Sequence, residues 1–87
     1  MYKLAIVDDD ARIANALREA LLEFKEIESV ICSNSGLRFA KDLVGMPPAA
    51  RPDVIVMDIS MGVPDEGIQA TRQIKLNFPD IEVIMFT

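Results

Sequence analysis

Leu4-Ala5-Ile6-Val7-Asp8-Asp9-Asp10 and Val54-Ile55-Val56-Met57-Asp58 are two apolar runs that each end in aspartate. Both are continuously apolar instead of alternating, the pattern of a parallel strand covered on both faces. Ligands of open α/β sheets bind in the crevice beyond the carboxyl ends of the strands. If the two runs are neighbouring strands, three or four carboxylates meet at that edge, and neither run carries a basic residue to balance them. Such a cluster is unfavourable unless a cation or a proton compensates it. The expectation is a hard-cation site with a reactive carboxylate in it.

Between and after these runs the chain alternates. Asp9 or Asp10 can cap a helix starting near Ala11, with Ile13, Leu17, Ala20, Leu21 and Phe24 inward and Arg12, Arg18, Glu19 and Glu23 outward. Val30–Cys32 reads as a short second strand, and Ser33-Asn34-Ser35 offers caps for a helix carrying Leu37, Phe39, Ala40 and Leu43. Gly45–Pro52 contains three prolines and reads as a loop. Gly62–Gly67 is a second loop, leading into a helix with Ile68, Thr71, Ile74 and Phe78 on one face. After Pro79-Asp80, Val83–Phe86 is a fourth apolar strand, ending at Thr87. Strands alternating with helices predict an α/β fold, a parallel sheet with right-handed crossovers and helices on both faces.

Composition narrows the classes. The chain has 87 residues, enough for one domain spanning 1–87 and too few for two. Hydrophobic residues make up 51%, which suits a packed core and not a disordered chain. Nine basic against fourteen acidic residues leave a net charge of −5, which argues against nucleic-acid binding through this segment. The single cysteine, Cys32, excludes an internal disulfide and reads as a small buried residue. Methionines 57, 61 and 85 and the phenylalanines read as core filling. Histidine is absent, which excludes His-based metal sites, Ser-His triads and an internal phosphohistidine. There is neither a signal-peptide pattern nor a long apolar span, so a cytoplasmic location without membrane attachment is expected.

Three features are placed at strand carboxyl ends: Asp8 with Asp9, Asp58, and Thr87. Oxygen-only ligands suit Mg²⁺, which takes one or two carboxylates together with waters and phosphate oxygens. A carboxylate in such a site can act as a nucleophile toward phosphorus and form an aspartyl phosphate. A hydroxyl at the end of the fourth strand can donate a hydrogen bond to the phosphoryl group. Taken singly, each feature has a plainer role, as a helix cap, a loop aspartate or a strand-forming threonine.

Read together, Ile6–Asp10, Pro52–Met61, Gly67–Thr71 and Phe78–Thr87 resemble the receiver domain of two-component response regulators. The resemblance spans essentially the whole chain. It implies a flavodoxin-like three-layer αβα fold with strand order 2-1-3-4. Asp58 would be the phospho-acceptor, taking its phosphoryl group from a sensor histidine kinase. Asp9 would contact Mg²⁺ directly, Asp8 largely through water, and the Ser60 backbone carbonyl would complete the protein ligands. Thr87 would be the switch hydroxyl. The implied protein is a switch, not an enzyme in its own right. The wording of Gly67–Lys75 is most similar to receivers that precede a helix-turn-helix output domain, so a transcriptional output is expected.

Two departures from the family pattern stand out. Gly62 occupies the position where the family carries a proline, and Gly67 comes nine residues after Asp58 instead of eight. The family geometry is therefore not carried onto Met61–Glu66. The chain also ends at Thr87, ahead of the family's last helix, its fifth strand with a phosphate-pairing lysine, and its final helix. An incomplete receiver would leave Val83–Phe86 as an exposed apolar edge, and a dimer or swapped oligomer through that strand is expected. Two other readings compete. A receiver scaffold could act as an interaction fragment independent of phosphorylation. A haloacid-dehalogenase-type phosphatase would need an aspartate two residues after the nucleophile, and Ser60 stands there.

Overall fold

Residues 1–61 and 65–86 are described by the computed structural model of the chain. The first apolar run becomes β1 (Tyr2–Val7), followed by α1 (Ala11–Leu22), β2 (Ile27–Ser33) and α2 (Gly36–Gly45). The second becomes β3 (Val54–Asp58), followed by α3 (Glu66–Asn77) and β4 (Glu82–Phe86). The sheet has the order β2-β1-β3-β4 and every pairing is parallel, as the family resemblance implied. Register brings the carboxyl ends level. Val7 lies opposite both Ser33 and Met57, and Asp58 lies opposite Phe86.

Alternation across the central strands makes two cores and so three layers. Ala5, Val7, Ile55 and Met57 face Phe39, Ala40 and Leu43 of α2 and Ala70 and Ile74 of α3. Leu4 and Ile6 face the other way, packing with Val30 and with Ala14 of α1. Burial on both sides is why these strands read as unbroken apolar runs.

Helix boundaries match the sequence expectation better than helix faces do. On α1, Ala14 is buried and Leu17 and Leu21 are half-buried, whereas Ile13 is 46% exposed and Phe24, beyond the helix end, 60% exposed. The small Ala14 side chain is the one set against the sheet, which leaves Ile13 on the flank. Arg18, expected outward, reaches over β2 and donates from Nε to the Val30 carbonyl at 3.1 Å. On α3 the buried face is Gly67, Ala70 and Ile74, with Ile68 partly exposed. Close approach of Gly67 to the end of β3 sets that rotation. A Cβ there would lie 2.5 Å from the Asp58 carbonyl oxygen and 2.8 Å from Ile59 Cα.

Three further expectations are corrected. Cys32 is exposed, on the edge strand β2, with Sγ 4.0 Å from the carbonyl of Ala14 on α1. Met85 is partly exposed on the other edge strand, β4, while Met57 and Met61 are buried as expected. The proline-rich stretch holds a short 3₁₀ turn, Pro48–Ala50. Arg51 follows it and donates from Nε to Leu43 O at 2.9 Å, satisfying the end of α2, while its guanidinium lies 4.6 Å from the centre of the Phe78 ring.

Two glycines should separate crowding from chain flexibility. Gly45, the last residue of α2, has nothing within 4 Å of a built Cβ. Gly45→Ala should be neutral or raise stability by up to about 1 kcal/mol. Gly67→Ala should lower it by about 2 kcal/mol or more, since α3 must move off the strand backbone. Urea midpoints of the two variants check this, and a harmless Gly67→Ala would contradict the packing.

Candidate metal centre

β1 and β3 are direct neighbours, so the residues that follow their apolar runs come together. Asp8 is the first residue after β1, Asp9 the next, and Asp58 the last of β3. One carboxylate oxygen from each lies within 4.8 Å of the others. Asp8 is 3% exposed and Asp58 8%, and Asp9 lies at the surface. The sequence reading named these three carboxylates, and the fold does bring them together.

Local backbone turns hold the two buried carboxylates. Asp8 accepts the Asp10 N–H at 2.9 Å, and Asp58 accepts the Ser60 N–H at 2.9 Å. Each is an aspartate bonded to the N–H two residues on, a conformation that aspartate favours at turns. Asp10 has a different task. Its Oδ1 accepts from Arg12 N at 3.0 Å and Ile13 N at 3.4 Å, which makes it the N-cap of α1. Of the two caps the sequence allowed, Asp10 is the one used.

Charge state follows from placement. Burial raises the Asp8 pKa above its ordinary value of 3.8, and the negative charges of Asp58 and Asp9 push the same way against the lowering effect of the Asp10 N–H. Asp10 moves down instead, chiefly because the Arg12 N–H stabilises its charged form, with Ile13 N–H and the Arg12 side chain adding to it. A cation between the three carboxylates would remove the repulsion that Asp8 feels. One oxygen from each carboxylate within 4.8 Å of the others is close enough for a single small hard cation to gather them by side-chain adjustment. The donor set is all oxygen, which suits Mg²⁺ and not a soft metal.

The other expected residues are less closely defined. Ser60 is exposed, two residues past Asp58, with its N–H turned to that carboxylate. Thr87 lies outside the described residues, as do residues 62–64 of the loop whose path the family pattern leaves open. Sequence reasoning missed Glu66, which it placed in a loop. Glu66 is buried at the start of α3, and its carboxylate accepts from Ser35 Oγ and Gly36 N at the start of α2. No periodicity marks it; the only hint is an acidic residue directly before Gly67.

The chain was also compared with known proteins. The family model described as "Response regulator receiver domain" matches residues 4–87. A protein-glutamate methylesterase/protein-glutamine glutaminase of Methanococcoides burtonii is 34% identical over 87 residues, all of this chain and 23% of that protein. The response regulator protein VraR of Staphylococcus saprophyticus is 33% identical over 85 residues, 98% of this chain and 38% of that one. The chain thus spans well under half the length of these curated relatives. Among solved structures, the response regulator protein TrrA of Thermotoga maritima in complex with Mg²⁺-BeF superposes with a TM-score of 0.80 at 22% identity, over 98% of this chain and 68% of that one. TrrA in complex with the histidine kinase ThkA gives 0.81 at 23% identity, over 100% and 69%. These likenesses speak for the fold.

The raised Asp8 pKa has a consequence for stability without divalent cations. Above pH 3.8 the folded chain holds this proton more tightly than the unfolded chain does. Stability from this group is therefore present at low pH and is lost as pH rises through the raised folded value. Asp10 acts in the opposite sense, its contribution being lost as pH falls below 3.8. Asp8→Asn keeps an oxygen for the Asp10 N–H and removes the ionisation. The variant should show a higher urea midpoint than the parent at neutral pH in EDTA, and a flatter pH profile above pH 4. Equal midpoints across that range would refute the electrostatic assignment.

Proposed function

Because the chain belongs to the response regulator receiver domain family, we propose that Asp58 is its phospho-acceptor in two-component signalling and that Asp8, Asp9, Asp58 itself and the Ser60 carbonyl would hold Mg²⁺ beside it. The observation that carries this reading is the convergence of three carboxylates within 4.8 Å at the carboxyl edge of the sheet. It is supported by TrrA, a protein of the same fold, having been solved with Mg²⁺-BeF and with a histidine kinase.

In the step itself, an Asp58 carboxylate oxygen attacks phosphorus and forms a P–O bond, while the P–N bond to the donor imidazole breaks and the histidine leaves. These 87 residues contain no histidine, so the donor lies outside them, on a histidine kinase in this reading. Held by these residues, Mg²⁺ would supply positive charge to offset the carboxylates and the transferring oxygens. The bond from Ser60 N–H to Asp58 Oδ1 fixes the carboxylate's rotation. Asp8 and Asp9 supply negative charge at fixed positions around the cation. Thr87 is the proposed hydroxyl donor to the phosphoryl group. Phosphorylation then switches an output, transcriptional in this reading, carried by the rest of a longer protein. The chain acts as a switch and not as a turnover enzyme, and Ser60 in place of an aspartate argues against a dehalogenase-type phosphatase. The described helices include none long and apolar enough to cross a membrane.

Intact-mass spectrometry after incubation with Mg²⁺ and acetyl phosphate tests the assignment. One phosphoryl group should be added, and none without Mg²⁺ or in Asp58→Asn. A folded parent chain that gains no mass would favour the phosphorylation-independent interaction reading for these 87 residues.

For these 87 residues taken alone, the described sheet edge supports self-association. Among the described residues β4 pairs only with β3, and Ile84 on it is 56% exposed. Unpaired edges with apolar side chains are templates for another strand. Light scattering across a range of concentrations should show a mass above that of the monomer, and a constant monomer mass would contradict it.

A further inference from the structure

Glu66 is a buried carboxylate for which neither the cation cluster nor the apolar cores give a use. Its Oε2 accepts three hydrogen bonds, from Ser35 Oγ at 2.9 Å, Gly36 N at 2.6 Å and Leu37 N at 3.3 Å. Ser35 is the N-cap of α2, and the two N–H groups are the first of that helix, which have no intrahelical partner. The carboxylate also faces the positive end of the α2 dipole. Glu66 thus fastens the start of α3 to the start of α2.

Both helix starts pack around the segment that follows Asp58, α3 against its backbone and α2 against the side chains of flanking methionines. Gly67, next to Glu66, approaches the Asp58 carbonyl and Ile59 so closely that no Cβ fits between them. Gly36 approaches from α2: a Cβ there would lie 2.8 Å from Met61 Cε, 3.0 Å from Ala70 Cβ and 3.4 Å from Met57 Sδ. Met57 and Met61 flank the Asp58–Ser60 turn in the chain. The turn is therefore met directly by Gly67, while Gly36, whose N–H binds Glu66, packs on the side-chain ends of the two methionines that flank it.

We infer that Glu66 is a positioning residue for the Asp58 site: by locking α2 to α3 it fixes the Asp58–Ser60 backbone, and with it the oxygens presented to the cation. The inference rests on reading Asp58 as the phospho-acceptor in a Mg²⁺ site. Glu66 touches neither the phosphoryl group nor the cation. Its effect passes through Gly36 and Gly67. All three bonds go to a single oxygen, so an amide oxygen can replace it, whereas a side chain one methylene shorter draws that oxygen back from α2.

Mg²⁺ binding by isothermal titration calorimetry, with acetyl phosphate labelling of the same samples, tests this on the full chain. Glu66→Ala should weaken Mg²⁺ binding by about tenfold, in the range seen when groups that support metal ligands are removed, and should slow labelling in step. Glu66→Gln should restore both to the parent level. Glu66→Ala with parent-like Mg²⁺ affinity would overturn the inference. So would Glu66→Gln as weak as Glu66→Ala, which would make the effect one of charge. If circular dichroism shows that the alanine variant does not fold, Glu66→Asp takes its place: weaker binding than Glu66→Gln supports the inference, and equal binding overturns it. A parent chain that binds no Mg²⁺ and takes no phosphoryl group overturns the functional reading, whereas failure of the variants alone leaves that reading standing.

Discussion

Parallel pairing of β1 with β3, with Val7 opposite Met57, is the constraint from which the rest follows. Both residues are fully buried on the face shared by α2 and α3. Burial of such a side chain contributes roughly 1.5–3 kcal/mol, and the two strands carry several more in both cores. That apolar register leaves no freedom in where the chain beyond each run emerges. A slip of one residue would turn every side chain of β3 to the opposite face. Asp8 and Asp58 are side by side because Ile6, Val7, Ile55 and Met57 are packed, not because the carboxylates attract one another.

The same constraint makes the site costly when it is empty of positive charge. Burial and two neighbouring carboxylates raise the Asp8 pKa, so its ionised form is disfavoured in the fold. Placing unfavourable groups where the surrounding core determines their position is a recurrent property of functional sites. It also ties ligand binding to stability, because a cation that binds only the folded chain shifts the folding equilibrium in proportion to its affinity. The acidic run divides the work: Asp10 anchors α1 through two N–H groups, which leaves Asp8 and Asp9 for the edge of the sheet.

Strand positions and the carboxylate cluster were legible in the sequence because each depends on short-range signals. Unbroken apolar runs mark strands buried on both sides, and the first polar residue after each run marks the edge. The helix faces were less legible. Ile13 and Ala14 are adjacent, and nothing in the spacing says that the smaller one meets the sheet. The same holds for Ile68 against Gly67, where a backbone-to-backbone approach sets the rotation of α3. Cys32 and Met85 read as core residues by type, yet each lies on an edge strand, where burial depends on what covers the edge. Glu66 was illegible for a related reason: its partners, Ser35, Gly36 and Leu37, are some thirty residues away and are met only in the folded chain.

That long-range lock bears on the extra residue between Asp58 and Gly67. A lengthened loop threatens a site only if the added residue displaces the anchors at its ends. Here the near end is set by Ser60 N–H on Asp58 and by Met61, buried against Gly36. The far end is set by Glu66 on α2 and by Gly67 on the Asp58 carbonyl. Asp65, between the loop and α3, adopts the left-handed conformation at φ 66°, which aspartate tolerates better than most residues. Backbone irregularity at Asp65 thus falls between the anchors. The helix it opens receives no side-chain cap from Asp65, and the acidic group of Glu66 in its first turn compensates while also serving α2. One carboxylate shared between two helix starts therefore sets the far end of the loop through contacts outside the loop itself.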